Sequence, residues 1–429
     1  MNGDAHRDRR AFLQTLGGLG VAALAGCATT GTRARLGRVV VVGGGYGGAT
    51  AAKYLALWGG GAVDVTLVEA DAAFVSCPLS NLVIGGSRTL ADLTVAYDGL
   101  ARRGIRHVRD MAVAVDPDRH SVRLASGAEL GWDRLVLSPG VEMLYGDVQG
   151  LAGADAQAKF LHAWKAGPQT LALRRQLEAM PDGGVFAISI PRAPYRCPPG
   201  PYERACQAAW YFKRAKPRSK VLILDGNEDV ISKKPLFLRA WSEDYKSIVE
   251  YRPNCVLTDV DAATMTLRFE TADDVKADVA NVIPPQRAGA IAVQAGVVTA
   301  NNAWCEVDFL SFESIRVKGI HVLGDAIQIA PAMPKSGHMA NQHGKVAAAA
   351  ILASLAGQPV NPDPVLNNTC YSFITDREAV HVTSVHQYDP AQKTLVPVQG
   401  AGGLSPAMSV QEGDYGFAWA QNIWADMLA

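Results

Sequence analysis

Arg38-Val39-Val40-Val41-Val42 runs directly into Gly43-Gly44-Gly45-Tyr46-Gly47-Gly48, and no other junction restricts the fold as much. The valine run reads as a strand buried on both faces, the usual state of a strand in a parallel sheet. Gly43, Gly45 and Gly48 then occupy the G-x-G-x-x-G positions. They serve the tight turn, the close approach of a pyrophosphate and the helix–strand contact, in that order. Ala49 to Leu55 continues as a helix, whose N-terminal N–H groups and dipole favour an anion. A second strand, Val63 to Val68, ends in Glu69, 21 residues after Gly48, where a carboxylate takes the ribose hydroxyls. Strand, glycine triplet, helix, strand and acid in that order predict an α/β dinucleotide-binding unit.

The chain has 429 residues, too many for one core, so two or three domains are expected. Lysine plus arginine equals aspartate plus glutamate at 41 each, which leaves no electrostatic case for nucleic acid. Beyond the N-terminus no apolar stretch reaches the roughly 18 residues of a transmembrane span. The first 30 residues read as an address. Asp8-Arg9-Arg10-Ala11-Phe12-Leu13 is a twin-arginine pattern and precedes an apolar stretch from Leu16 to Ala25. Ala23-Leu24-Ala25 fits a cleavage site, while Leu24-Ala25-Gly26-Cys27 fits a lipobox that would leave a lipid anchor on Cys27. Either form predicts export to the periplasm, where disulfides persist. Six cysteines remain after Cys27, with no C-x-x-C pair for a zinc ribbon and no C-x-x-C-H for a c-type haem.

A second nucleotide-like unit begins at Val185-Phe186-Ala187-Ile188-Ser189-Ile190, another buried strand. No phosphate loop follows it. Five prolines lie between Pro191 and Pro201, with Cys197 among them. Proline has no N–H to give a phosphate, so this loop suits a rigidly held sulfur better than a nicotinamide cofactor. Lys220 to Asp225 supplies the second strand, again with an acid at its end. Two further stretches resemble segments of flavoproteins with two dinucleotide domains. Trp132 to Gly140 is similar to the strand and turn that return to the nucleotide. Ile320-His321-Val322-Leu323-Gly324-Asp325-Ala326 is similar to the second FAD motif, in which the aspartate reaches the ribityl chain. A helix over 341–355 comes soon after. FAD is the expected cofactor.

Longer stretches resemble the flavoprotein subunit of flavocytochrome c sulfide dehydrogenase. They are Val75-Ser76-Cys77-Pro78-Leu79-Ser80-Asn81, Tyr195-Arg196-Cys197-Pro198-Pro199-Gly200-Pro201-Tyr202-Glu203-Arg204, Ile283 to Gly289, Met333-Pro334-Lys335-Ser336-Gly337, and Asn368-Thr369-Cys370-Tyr371-Ser372. The resemblance implies that Cys77 holds FAD through a thioether and that Cys197 and Cys370 form a redox-active disulfide. It also implies oxidation of sulfide at that bond to zero-valent sulfur or polysulfide. Electrons would then pass through the flavin to a separate c-type cytochrome subunit. Glu203, beside Cys197 at the start of a helix, would move a proton or charge the helix N-terminus. Arg287, Lys335, Trp419 and Trp424 would shape the flavin or partner surface, or simply pack.

The expected architecture is α/β. It has two Rossmann-like dinucleotide-binding domains of the disulfide-reductase flavoprotein type and a C-terminal α+β domain. FAD would be bound by residues 36–150 and 291–360, the second unit would span 151–290, and the C-terminal domain 361–429. Two rivals differ in acceptor or class: a sulfide:quinone reductase, and a flavin electron-transfer subunit without a substrate of its own.

Overall fold

A computed structural model describes residues 35–429; the twin-arginine stretch and Cys27 lie outside the described residues. The chain enters through β1 (Gly37–Val42), α1 (Tyr46–Gly59) and β2 (Val63–Glu69). Val39 and Val41 of β1 are fully buried, as a strand covered on both faces requires. β3 (Ala73–Val75), α2 (Ser80–Gly85), β4 (Arg106–Arg109) and β5 (Arg134–Leu137) follow. The chain then leaves for a second sheet built from β6 (Val185–Ile190), β7 (Lys220–Asp225), β8 (Val249–Arg252) and β9 (Val279–Val282). Its order is β8-β7-β6-β9, all parallel, with α3 (Gly200–Ala215) crossing from β6 to β7 and α4 (Lys234–Glu243) from β7 to β8.

The chain returns to the first sheet through β10 (Val307–Asp308), β11 (Glu313–Ser314) and β12 (Ile320–Val322). That sheet has the order β10-β11-β12-β5-β1-β2-β4. Its central strands are parallel, so their carboxyl ends open on one edge. The order reverses between β1 and β5, the place where such sheets bind ligands. α5 (Gly337–Leu355) packs along α1, and an added Cβ on Gly344 would lie 2.6 Å from the Gly47 carbonyl oxygen. The helix begins four residues before the expected 341, because the Ser336 hydroxyl accepts from the Met339 N–H at 3.1 Å and caps it there.

The C-terminal part is an antiparallel sheet, β13 (Val365–Phe373), β14 (Ala379–Asp389) and β15 (Thr394–Pro397), closed by α6 (Val410–Leu428). Leu82 and Val83 of α2, Phe373 of β13 and Ala420 of α6 share one buried cluster. The C-terminal part is thereby packed against the helix that follows Cys77. Among the described residues no helix is long and apolar enough to cross a membrane. Two nucleotide-type sheets, one parallel throughout and one parallel in its central strands, with an appended antiparallel sheet and helix meet the α/β expectation.

Candidate active site

The glycine turn is built as its spacing demands. Gly43 has φ +98°, and an added Cβ there would fall 2.3 Å from the Ser138 carbonyl oxygen that follows β5. A Cβ on Gly48 would fall 1.9 Å from the Gly43 carbonyl oxygen. Gly45, by contrast, has open space beside it and faces a cavity of about 290 Å³. Gly45 is also the N-cap of α1 and has no side chain to cap it, so the first N–H groups of α1 point at that space. Glu69 lines the same cavity and accepts from the Gly44 N–H at 2.6 Å.

Cys77, Asp325, Cys197, Glu203 and Cys370 line the cavity as well. Seven of the nine residues expected at the site therefore border one space, while Gly43 and Gly48 are taken up in the tight turn itself. Asp325 stands in the turn after β12, and its Oδ1 is buried without a hydrogen-bond partner. A buried carboxylate oxygen left in that state is set to accept from a ligand hydroxyl. The bare helix N-terminus, the carboxylate at the end of β2 and the orphan Asp325 oxygen fit the pyrophosphate, ribose and polyol of FAD.

The three cysteines reach the cavity from three directions. Cys77 lies between β3 and α2, where its Sγ accepts from the Ala166 N–H at 3.4 Å. Cys197 sits in the proline loop with φ +56°, a left-handed backbone that few non-glycine residues adopt. Its own N–H donates to the Lys335 carbonyl at 2.7 Å, and its carbonyl accepts from the Gly200 N–H at 2.8 Å. Gly200 matters for space: a Cβ there would come within 3.0 Å of the Cys197 sulfur and 2.7 Å of the Trp164 ring. Cys370 lies on β13, with Sγ 3.6 Å from Asn368 Oδ1. Cys197 and Cys370 are both free thiols in the structure. Burial pushes Cys197 up to about 12, with Cys370 and Glu203 adding to it and Arg196 and Lys233 opposing. Burial also raises Cys370, against Lys233, Asn368 and Ser336.

Glu203 is not a simple surface charge at a helix start. It is 7% exposed, in the first turn of α3, and accepts from Asn81 Nδ2 at 3.0 Å and from the Phe373 N–H at 3.0 Å. Asn81 is oriented by Arg204, whose Nε donates to Asn81 Oδ1 at 3.1 Å. Burial raises the Glu203 carboxyl, and the Phe373 N–H, Lys233, Asn81 and Arg204 pull it back. α3 thus joins the C-terminal sheet directly, since Gln207 Nε2 also donates to the Phe373 and Thr375 carbonyls.

Four polar residues at or beside the site carry no sequence signal of their own. Arg196 lies 3.9 Å from Asp325. Burial lowers its pKa, but Cys77 and Asp325 outweigh that and hold it firmly charged. Asn81 and Arg204 stand inside the stretches already quoted, yet nothing local marks them as partners of Glu203. Lys233 lies outside every stretch quoted from the sequence and reaches Ser372 Oγ at 2.7 Å. Of the shaping residues, Lys335 and Trp419 line the cavity. Lys335 donates to the Asp325 and Ile327 carbonyls and lies over the Trp304 ring at 3.5 Å, and burial brings it down to about 7. Trp424 donates to the Tyr46 hydroxyl at 3.3 Å, and Arg287 pairs with Glu142 at 2.9 Å.

The second sheet has no open nucleotide acid. Asp225, at the end of β7, is fully buried and accepts from the Tyr202 hydroxyl at 2.7 Å and the Tyr251 hydroxyl at 3.2 Å. Asn227 Nδ2 adds a third donor at 2.7 Å. The carboxylate is already satisfied by the protein.

Residues 37–177 match the model of the pyridine nucleotide-disulphide oxidoreductases. The fold is similar to a sulfide:quinone oxidoreductase from Aquifex aeolicus, with TM-score 0.72 at 18% identity over 91% of each chain. It is also similar to the reductase–partner complex of putidaredoxin reductase and putidaredoxin, with TM-score 0.65 at 17% identity over 90% of this chain and 94% of that one. Fold and site define a flavoprotein oxidoreductase of the disulfide-reductase type, with FAD as cofactor. Residues 170–284 match the central region of the sulfide dehydrogenase [flavocytochrome c] flavoprotein chain, and residues 362–428 match the flavin-binding model of flavocytochrome c sulphide dehydrogenase. That flavoprotein chain from Chlorobaculum thiosulfatiphilum is 61% identical over 46 residues, 11% of this chain and 94% of that sequence. The chain belongs to the family of the flavocytochrome c sulfide dehydrogenase flavoprotein chain. It is also 22% identical over 321 residues to the mitochondrial sulfide:quinone oxidoreductase of Mus musculus, covering 68% of this chain and 66% of that one. The chain spans about two thirds of the length of that relative and of its Dictyostelium discoideum counterpart.

Proposed function

We propose that the protein oxidises sulfide at a disulfide between Cys197 and Cys370 and delivers the electrons to a c-type cytochrome partner. The observation that carries this reading is the shared cavity: Cys77, Cys197, Cys370 and Glu203 all line it. Hydrosulfide attacks one sulfur of the Cys197–Cys370 bond. A new S–S bond forms, the old one breaks, and the products are a persulfide on one cysteine and a thiolate on the other. The left-handed Cys197 backbone and the small Gly200 hold the first sulfur in place, while β13 holds the second. Glu203, whose carboxyl burial raises above its ordinary range, keeps or releases a proton beside the pair. When bound, FAD supplies a two-electron acceptor that can release its electrons singly to a haem. Cys77 reaches the same cavity as a tether for that cofactor, through a thioether. Sulfur leaves as zero-valent sulfur or polysulfide. The twin-arginine pattern supports a periplasmic location for this chemistry, with attachment through Cys27 if the lipobox is processed.

Purified protein mixed anaerobically with sulfide should lose its flavin absorbance, and oxidised cytochrome c should restore it. Bleaching by NADH with none by sulfide would overturn the reading. Reoxidation by a quinone in place of cytochrome c would favour the quinone reductase, which the fold likeness to such enzymes supports as the second reading.

A further inference from the structure

Lys233 has no part in the reaction as described, yet among the described residues it is one of the few buried cations. It is 4% exposed, stands immediately before α4 with φ +53°, and donates to Ser372 Oγ at 2.7 Å. Ser372 is fully buried and lies two residues beyond Cys370 on β13. Alternate residues of a strand share a face, so the lysine is anchored on the face that carries the Cys370 sulfur. Burial lowers the pKa of Lys233, and the ionisable groups that oppose this are Cys370 from β13, Glu203 from α3 and Cys197 from the proline loop. A serine hydroxyl is a weak partner for a desolvated ammonium, which is retained inside a protein where negative charge compensates it. Glu203 supplies one such charge when it is ionised. The cysteine pair is the other group positioned to do so.

We propose that Lys233 is a positioning residue for the sulfur chemistry, its ammonium stabilising the thiolate left when the Cys197–Cys370 bond opens. This rests on the reading that the two cysteines form that bond. In the opening step the electron pair of hydrosulfide makes the new S–S bond, and the pair of the broken bond stays on the departing sulfur. The negative charge therefore passes from hydrosulfide to a cysteine thiolate, and no further oxidant or proton donor enters. Whichever cysteine departs, the lysine opposes the effect of burial on its thiol, because Lys233 acts on both.

The test reads thiolate formation without sulfide. The flavin-loaded protein is reduced with a phosphine, and its thiols are modified with methyl methanethiolsulfonate at graded pH. Peptides containing Cys197 and Cys370 are then quantified by mass spectrometry. Lys233→Met should raise the pH midpoint of modification of Cys370 by about one unit, the lower end of the effect of a close opposite charge. Lys233→Arg should return it to the wild-type value. Ser372→Ala, which keeps the lysine and removes its anchor, should raise it by less, and it decides the matter if Lys233→Met does not fold. Coincident midpoints in the wild type and Lys233→Met, or in the wild type and Ser372→Ala where Lys233→Met does not fold, would overturn the inference. Failure of sulfide to bleach the wild-type flavin would instead overturn the proposed activity, since this measurement needs no sulfide.

Discussion

Glu203 shows what one buried carboxylate does to the pH response of the whole chain. Its pKa is raised in the folded state, so the stability linked to it is fully present below the ordinary glutamate value of about 4.3. That stability is lost as pH climbs through the raised value. Glu203→Gln should flatten this part of a plot of thermal midpoint against pH. It should also leave one of two donors, Asn81 Nδ2 or the Phe373 N–H, without an acceptor at a cost of about 1–3 kcal/mol. An unchanged pH dependence would show that the carboxyl titrates at its ordinary value. Cys77 makes a simpler prediction. Acid precipitation should leave the yellow colour in the wild-type pellet, and Cys77→Ser should release it to the supernatant; equal release from both would exclude the thioether.

Among the elements, α6 ties the C-terminal part to the nucleotide-binding helix. Asp426 on α6 accepts from the Tyr54 hydroxyl at 2.6 Å and from Asn341 Nδ2 at 2.8 Å, and pairs with Lys345 at 2.9 Å. Lys53 of α1 donates to the Ala425 carbonyl at 2.8 Å, near the end of the same helix. Burial would raise the Asp426 carboxyl, but Tyr54, Asn341 and Lys345 together pull it below the ordinary range. Asp426→Ala strands three donors at a partly buried site and should destabilise the chain by roughly 1–3 kcal/mol at pH 7. Chemical denaturation would read this, and a loss under about 0.5 kcal/mol, the range of ordinary surface substitutions, would mean that the contacts are not maintained in solution. Helix α6 was legible only as a tryptophan-containing C-terminus, because nothing in its own residues says that Asp426 meets helices far earlier in the chain. The start of α5 was misplaced for a related reason. Gly337 and His338 are poor helix formers, and the Ser336 cap that holds them shows only in three dimensions.

At the scale of the whole molecule, a bond between Cys197 and Cys370 would close a loop across two sheets and the C-terminal part. Such a bond stabilises chiefly by restricting the unfolded chain, typically by about 2–4 kcal/mol. Reduction should therefore lower the thermal midpoint of the wild type and leave that of Cys197→Ser unmoved; equal midpoints for oxidised and reduced wild type would count against the bond. The first dinucleotide unit was determined by sequence alone. A valine run, three glycines at fixed offsets and Glu69 each dictate a local backbone state or a strand end, and those need no distant partner to be read. The sealing of Asp225 by Tyr202 and Tyr251 was not legible, since the acid at a strand end looks the same whether or not tyrosines occupy its oxygens. Resemblance pointed to Cys77, Cys197 and Cys370, but the residues around them were decided only by tertiary structure. Asn81, Arg204, Lys233 and Ser372 belong to four separate segments and meet because α3 packs against both α2 and β13. Local sequence encodes backbone geometry, whereas the charge state of a buried sulfur depends on which distant side chains the packing brings beside it.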